Sequence, residues 1–210
     1  MASPTESRVL SIKPLDNKDA RWINLVQIEY KGPDGKLRTW EAMQRTTRPK
    51  DSPVDAVHIL AIRDIIGGLG PEVLLEKQFR PPAGSVVVEF PAGLIDAGET
   101  VEECAVRELR EETGYIGEVI PDPSRPILFG SPASSASRTV MINVTIDLGK
   151  PENQTPKAEL EVDEFIEPFW VPLKSLHEGL RTFIDQGFAI DGKVGIFAEG
   201  IEAAKRWPLV

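Results

Sequence analysis

The chemistry in this chain concentrates in Gly93–Tyr115, GLIDAGETVEECAVRELREETGY, where acids stand at fixed offsets behind a glycine-bearing loop. Thr100 followed by Glu103 fits a capping box and Gly114 fits a C-terminal stop, so the spacing predicts a helix over Thr100–Thr113. Counting ~100° per residue from Val101, Ala105 and Leu109 continue an apolar stripe and Cys104 lies beside it. On the same count Glu108 falls near ~340° and Glu112 near ~20°, within that stripe, and Glu111 near ~280°, at its margin. Glu103 and Arg110 point away. Two carboxylates one turn apart therefore face the protein. Like charges at i and i+4 repel, and burial without a partner adds to the cost. A divalent cation relieves both penalties. Mg²⁺ suits such a cluster because it takes oxygen ligands and keeps waters and substrate phosphates in its shell. Glu-rich helices are more commonly solvated faces. Here the stripe position, the preceding Asp96 and Glu99, and an Arg107 able to orient the acids favour a site.

Other elements must hold that helix in place. Val86–Phe90 is an apolar strand ending at Pro91, and it leads into the loop. Leu25–Tyr30 and Leu37–Arg45 read as strands around the Lys31–Gly35 turn, a hairpin. Ala56–Ile62 and Glu72–Phe79 read as a second pair across Gly67-Gly68-Leu69-Gly70. That glycine run lacks the Lys-Ser/Thr of a phosphate-binding loop and leads into no helix, so it reads as a turn. Strands follow near Ile127–Phe129, Thr139–Leu148 and Glu164–Val171, with the acid-rich loop Pro151–Asp163 before the last. Two helices, Leu173–Gln186 and Val194–Arg206, close the chain. Many strands, one central helix and two late helices predict an α/β layered domain over residues 51–210, with residues 1–50 as a small β-rich region.

Composition narrows the function. Asp plus Glu is 33 and Lys plus Arg is 24, a net charge of −9, which disfavours general affinity for nucleic acid or anionic membranes. An anionic substrate would then need metal ions or local arginines. The single cysteine, Cys104, can form no internal disulfide, and two histidines, His58 and His177, make His-rich zinc sites improbable. No apolar run approaches the ~20 residues of a membrane span. Together these lead us to expect a cytoplasmic protein with neither nucleic-acid nor membrane partners.

The order Gly93, Glu99, Arg107-Glu108-Leu109-Arg110-Glu111-Glu112-Thr113-Gly114-Tyr115 resembles a Nudix box, with every specified glycine, acid and arginine present. Only Tyr115 departs, standing where an aliphatic residue is usual. Gln78-Phe79-Arg80-Pro81-Pro82, Glu89–Asp96, Arg38-Thr39-Trp40-Glu41 and Arg45-Thr46-Thr47-Arg48 resemble the ADP-ribose (ADP-sugar) pyrophosphatase branch in its eukaryotic form. Pro132 lies slightly later than the branch's usual proline, behind what looks like a short insertion at Pro121–Pro126. The resemblance implies a Nudix αβα sandwich with a mixed sheet. It also implies Mg²⁺-dependent hydrolysis of ADP-ribose to AMP and ribose 5-phosphate, with Mn²⁺ a possible substitute. Two alternatives stay open: hydrolysis of another nucleotide, such as an oxidised guanine nucleoside diphosphate, and a non-catalytic adenine-nucleotide-binding module.

The same resemblance implies residue roles. Glu108, Glu111, Glu112 and the Ala92 carbonyl are the implied metal ligands. Arg107 orients the acids, Glu99 either orients the loop and Arg107 or touches the metal directly, and Glu164, next to the late strand, is the candidate general base, with Glu111 among the catalytic acids. Arg45 and Arg80 are candidate diphosphate clamps, Glu89 is a candidate acceptor for a ribose hydroxyl or an arginine, and Leu94 borders the substrate. Trp22 and Trp40 are the candidate adenine clamp, with Glu41 at the adenine edge. In this branch the two rings come from different subunits of a homodimer. Trp170 and Trp207 read as packing, and Cys104 as inert core.

Overall fold

The computed structural model describes residues 3–65 and 70–207. Strands β1 (Ile23–Lys31) and β2 (Leu37–Arg45) pair antiparallel, with Ile23 opposite Arg45 and Lys31 opposite Leu37. The hairpin forms a two-stranded sheet of its own. Its turn closes at Gly35, whose φ of 79° suits glycine.

Among the described residues the main sheet has eight strands. They are β3 (Ala56–Ile65), β4 (Gly70–Arg80), β5 (Ser85–Glu89), β6 (Ala92–Leu94), β7 (Glu118–Val119), β8 (Thr139–Thr145), β9 (Ile166–Pro172) and β10 (Ala189–Ile190). The order is β10-β5-β4-β3-β8-β7, with β6 on β3 and β9 on β4. β3 runs parallel to β8 and β5 parallel to β10, and the other pairs are antiparallel, so the sheet is mixed.

Helix α1 (Val101–Thr113) covers one face of the sheet; α2 (Leu176–Asp185) and α3 (Gly192–Arg206) cover the other. The two cores follow from strand alternation. On β4, Leu74 packs with Ile59, Cys104 and Leu109, whereas Val73 and Leu75 pack with Leu176 and Val194. Glu76, Gln78 and Arg80 therefore share the face of Leu74, beneath α1. The layered α/β fold expected from the sequence is the one observed.

Several local expectations change. Ile127–Phe129 contributes only one bridge, Leu128 to Thr139, because Pro121, Pro123 and Pro126 remove ladder donors around it. The first late helix opens as a 3₁₀ turn, Leu173–Ser175, directly after Pro172, and becomes α-helical at Leu176. Of the glycine-run turn, Gly67, Gly68 and Leu69 lie outside the described residues, and Gly70 begins β4 with φ 82°. Trp207 is exposed rather than packed. Trp170 packs against the α1-side core and donates from Nε1 to the Tyr115 hydroxyl at 3.0 Å, so the unusual Tyr115 is used in packing.

Candidate active site

α1 is fixed at both ends by its own sequence. Thr100 Oγ1 accepts from the Glu103 N–H at 3.2 Å, and the Glu103 carboxylate accepts from the Thr100 N–H at 2.9 Å. Gly114 caps the other end at φ 76°. A Cβ there would run into the Lys157 backbone, so the acid-rich loop lies against the helix terminus. Glu159 strengthens that seat: its N–H donates to the Glu111 carbonyl at 2.7 Å and its carboxylate meets Arg110 at 3.2 Å.

Packing Ala105 and Leu109 onto the sheet carries Glu112 inward with them, to 3% exposure. Its Oε2 accepts from the Ala92 N–H at 3.1 Å. Glu108 approaches the backbone at Gly93, where a Cβ would overlap its carboxyl group, and this is why glycine is required there. Arg107 gathers the remaining acids. It donates to both Glu99 oxygens at 2.8 and 2.9 Å, to Glu108 at 2.9 Å, to Glu111 at 3.0 Å and to the Leu94 carbonyl at 3.1 Å. Glu99 also accepts from the Asp96 N–H at 3.1 Å, which ties the loop to the arginine.

The electrostatics separate these acids. Arg107 holds Glu99 below the usual carboxylate range. Burial pushes Glu108 up to about 6, against the pull of Arg107 and with help from Glu111 and Glu164. Glu112 lies well above its ordinary value, first through burial and then through Glu76 and Glu108. Cys104 is fully buried and burial raises its thiol, consistent with inert core.

Glu76 was not singled out by the sequence reading. It is fully buried on β4, directly opposite Glu89 on β5, and neither of its oxygens has a hydrogen-bond partner among the described residues. Burial and then Glu89 push its carboxyl well above the ordinary range. The available signal was a charged residue directly after the apolar run Val73-Leu74-Leu75, two positions after Leu74 on the helix-covered face. Glu89 is paired to Arg80, whose Nε donates at 2.7 Å. Glu164 is half-buried and is held by the Glu161 N–H at 3.0 Å; its charge raises Glu76, Glu108 and Glu112, so it faces the same cluster.

This donor set fits a divalent cation in its chemistry. Glu76, Glu89, Glu99, Glu108, Glu111 and Glu112 are answered by Arg80 and Arg107, an excess of carboxylate oxygen on one face. Among the described residues no three acids, histidines or cysteines converge into a ready cage. Arg107 holds Glu99, Glu108 and Glu111 instead. That agrees with a cation such as Mg²⁺, which takes one or two carboxylates and completes its shell with water and substrate phosphate.

The nucleotide-side residues lie on the hairpin. Trp40 is half exposed and donates from Nε1 to the Ala133 carbonyl at 2.7 Å. Met43 exchanges backbone hydrogen bonds with Ser134 and Ala136, both at 2.8 Å, so the Pro132–Ser137 loop supports β2 in this chain. Gln27, Thr39, Trp40, Glu41 and Ala133 line a recess of ≈ 450 Å³. Arg45 ends β2 opposite Ile23. Trp22 precedes β1, with its carbonyl accepting from the Thr46 N–H. No hydrogen bond or ion pair among the described residues joins Trp22, Trp40, Glu41 or Arg45 to the acids around α1. The hairpin is tied down by Arg48, which makes two 2.9 Å bonds to the buried Asp55 and one to the Ala136 carbonyl.

A mixed sheet between helices is a fold shared with a solved ADP compounds hydrolase. That structure matches with a TM-score of 0.52 at 20% identity, over 77% of each chain, a likeness of fold. The NUDIX domain matches residues 53–189, and the chain belongs to the Nudix family. It is 43% identical to an uncharacterised Nudix hydrolase of Schizosaccharomyces pombe, over 99% of this chain and 98% of that protein. It is 40% identical to the ADP-ribose pyrophosphatase of Saccharomyces cerevisiae, over 97% of this chain and 87% of that one. It is 37% identical to the ADP-sugar pyrophosphatase of Mus musculus, over 90% and 86%. Nudix hydrolases generally use a divalent metal, in keeping with the acid excess.

Proposed function

We propose that this chain is a divalent-metal-dependent ADP-sugar pyrophosphatase that hydrolyses ADP-ribose to AMP and ribose 5-phosphate. The observation that carries the reading is the partly buried carboxylate face of α1, organised by Arg107 over a β-strand that brings Arg80 to the same side. The names of the yeast and mouse relatives support the substrate class.

Glu108, Glu111, Glu112 and the Ala92 carbonyl would hold the cation, with Mg²⁺ the first choice and Mn²⁺ a substitute. When bound, the cation neutralises the diphosphate, polarises the scissile P–O bond and lowers the pKa of water. Arg107 keeps Glu99, Glu108 and Glu111 from scattering before substrate arrives. Arg80 and Arg45 bind diphosphate oxygens, a geometry suited to guanidinium. Arg80 would share itself between substrate and Glu89, while Leu94 and Glu89 border the sugar. Glu164 takes the proton of the attacking water as that water's oxygen bonds to phosphorus and the bridging P–O bond breaks. Its place on a loop already facing the acids supports that role.

The reading extends to a homodimer. Within one hairpin Trp22 stands opposite Thr46 and Trp40 opposite Ile28, six residues apart along the ladder and on one face. At ~3.3 Å per residue the two backbone positions are ~20 Å apart, a span too wide for one hairpin to sandwich a single adenine. Two hairpins facing each other about a two-fold axis would set Trp22 of each against Trp40 of the other, since residue i then meets j and j meets i. Glu41, next to Trp40, would meet the adenine edge.

The test is a substrate panel: ADP-ribose and an oxidised guanine diphosphate, each with and without Mg²⁺, with products identified chromatographically. The expected result is AMP and ribose 5-phosphate, formed from ADP-ribose only with metal. Preference for the guanine nucleotide, or tight ADP-ribose binding without turnover, would overturn the reading.

A further inference from the structure

Glu76 is an unusual residue to bury. It lies at 0% exposure in the middle of β4, no donor among the described residues reaches either carboxylate oxygen, and the residue directly across the ladder is another acid, Glu89. Like charges directly opposite each other on a sheet are destabilising, and a buried carboxylate without donors costs still more. Glu89 has its counterion in Arg80 at 2.7 Å. Among the described residues Glu76 has none within ion-pairing distance. Strand alternation turns it toward α1, where Glu112 accepts a single hydrogen bond, from the Ala92 N–H. Glu76 and Glu112 are thus both buried acids on the α1 side of the sheet.

A protein can satisfy such a pair with a proton or with a cation. A neutral carboxylic acid still needs an acceptor for its O–H and a donor for its carbonyl oxygen, and no donor among the described residues reaches Glu76. A hydrated divalent cation supplies positive charge and water donors together. We propose that Glu76 is a further carboxylate of the cation site, binding the divalent ion or its coordinated water alongside Glu112. This rests on the metal-dependent reading above. It assigns Glu76 a positioning role outside the box, supplied by the sheet rather than the helix. Because β4 also carries Arg80, one strand would then set both the cation and the diphosphate-binding guanidinium.

The experiment is Mn²⁺ binding to the full chain, read from the electron paramagnetic resonance of free Mn²⁺, alongside thermal unfolding in chelator. Glu76→Gln keeps the shape and removes the charge. It should weaken Mn²⁺ binding by about 10–100-fold, the range for groups that support metal ligands, and raise the metal-free Tm. Glu76→Met, which has no hydrogen-bonding amide, should weaken Mn²⁺ binding as much, and Glu76→Asp should recover part of it. A purely structural Glu76 would change Tm and leave Mn²⁺ affinity alone. A Glu76→Gln affinity within twofold of wild type overturns the proposal, whether or not Glu76→Met folds. Glu112→Gln is the control that separates the two claims. If it loses Mn²⁺ while Glu76→Gln does not, only the role of Glu76 fails. If wild type binds no Mn²⁺, the metal reading fails and the proposal with it.

Discussion

The α1 face and the N-terminal hairpin are both unfinished in a single chain, in opposite ways. Under α1 the packing is complete, with Leu109, Ala105 and Cys104 fully buried, but the charge is not. Glu112 is buried and accepts from the Ala92 N–H, and among the described residues the buried Glu76 accepts no hydrogen bond. On the hairpin the backbone ladder is complete, but the packing is not. Trp22, Leu25, Leu37 and Trp40 are all at least half exposed, and Ala42 is the one buried position on β2. A two-stranded hairpin is marginal alone, so this one relies on Arg48–Asp55 and on Trp40–Ala133. The first region lacks positive charge and the second lacks an apolar cover. A cation supplies one and a second copy of the chain supplies the other.

The largest expected effect breaks the first region. Glu112→Gln should reduce ADP-ribose turnover by about 10²–10³-fold, the scale of a lost transition-state electrostatic contact. The fold should survive, since the amide oxygen can still accept from Ala92. Steady-state rates at limiting Mg²⁺, with a circular dichroism melt, check both halves.

The next severs the two regions from each other. Asp55 is buried and holds Arg48 through two bonds and the Arg138 N–H at 2.7 Å. Asp55→Ala should cost about 3 kcal/mol, near the low end for breaking a buried pair because Arg48 keeps some contact with water. Denaturant titration measures it. A change under 1 kcal/mol would mean that the hairpin is held by something else.

Removing one ring of the proposed adenine clamp should cost ~1–3 kcal/mol of stacking and appear mainly in KM. Trp22→Ala and Trp40→Ala should behave alike, although the residues lie at opposite ends of the hairpin. A kcat effect with unchanged KM would place the adenine elsewhere.

The smallest effect is on pH dependence. Glu108 titrates at about 6 in the fold against an ordinary 4.5, because burial favours its protonated form. Such a group contributes stability below its unfolded pKa and loses that contribution as pH rises through the folded one. Glu76 and Glu112 are shifted the same way, whereas Arg107 holds Glu99 low and opposes them only in more acid solution. In chelator, Tm should fall between pH 5 and 7, and Mg²⁺ should shrink that fall. A metal-free Tm that climbs over this range would contradict the charge deficit.

The helix was legible because its signals are local. Cap, stripe and stop all lie within Thr100–Gly114, and the arginine that organises the acids sits one turn from Glu111. β2 was likewise bounded correctly by turn chemistry at one end and by Arg45 at the other. What escaped depends on distant partners. β6, β7 and β10 are two or three residues long, too short for any periodicity, and exist because β3, β8 and β5 offer them an edge. Asp55 shows its value only once Arg48 and the Arg138 N–H converge on it. Glu76 reads as one polar residue in a strand until the register puts Glu89 opposite and the packing brings Glu112 near.

The central claim is that a second copy of the chain completes the hairpin and its adenine clamp, and mixed dimers test it most directly. A dimer of one Trp22→Ala chain and one Trp40→Ala chain has one site lacking both rings and one site with both intact, if the rings of a site come from different subunits. Tight ADP-ribose sites are counted in verified mixed dimers with metal withheld. The account predicts about half the wild-type number, as two-fold symmetry requires. Finding no tight site in those dimers, or a monomer in solution, would contradict it.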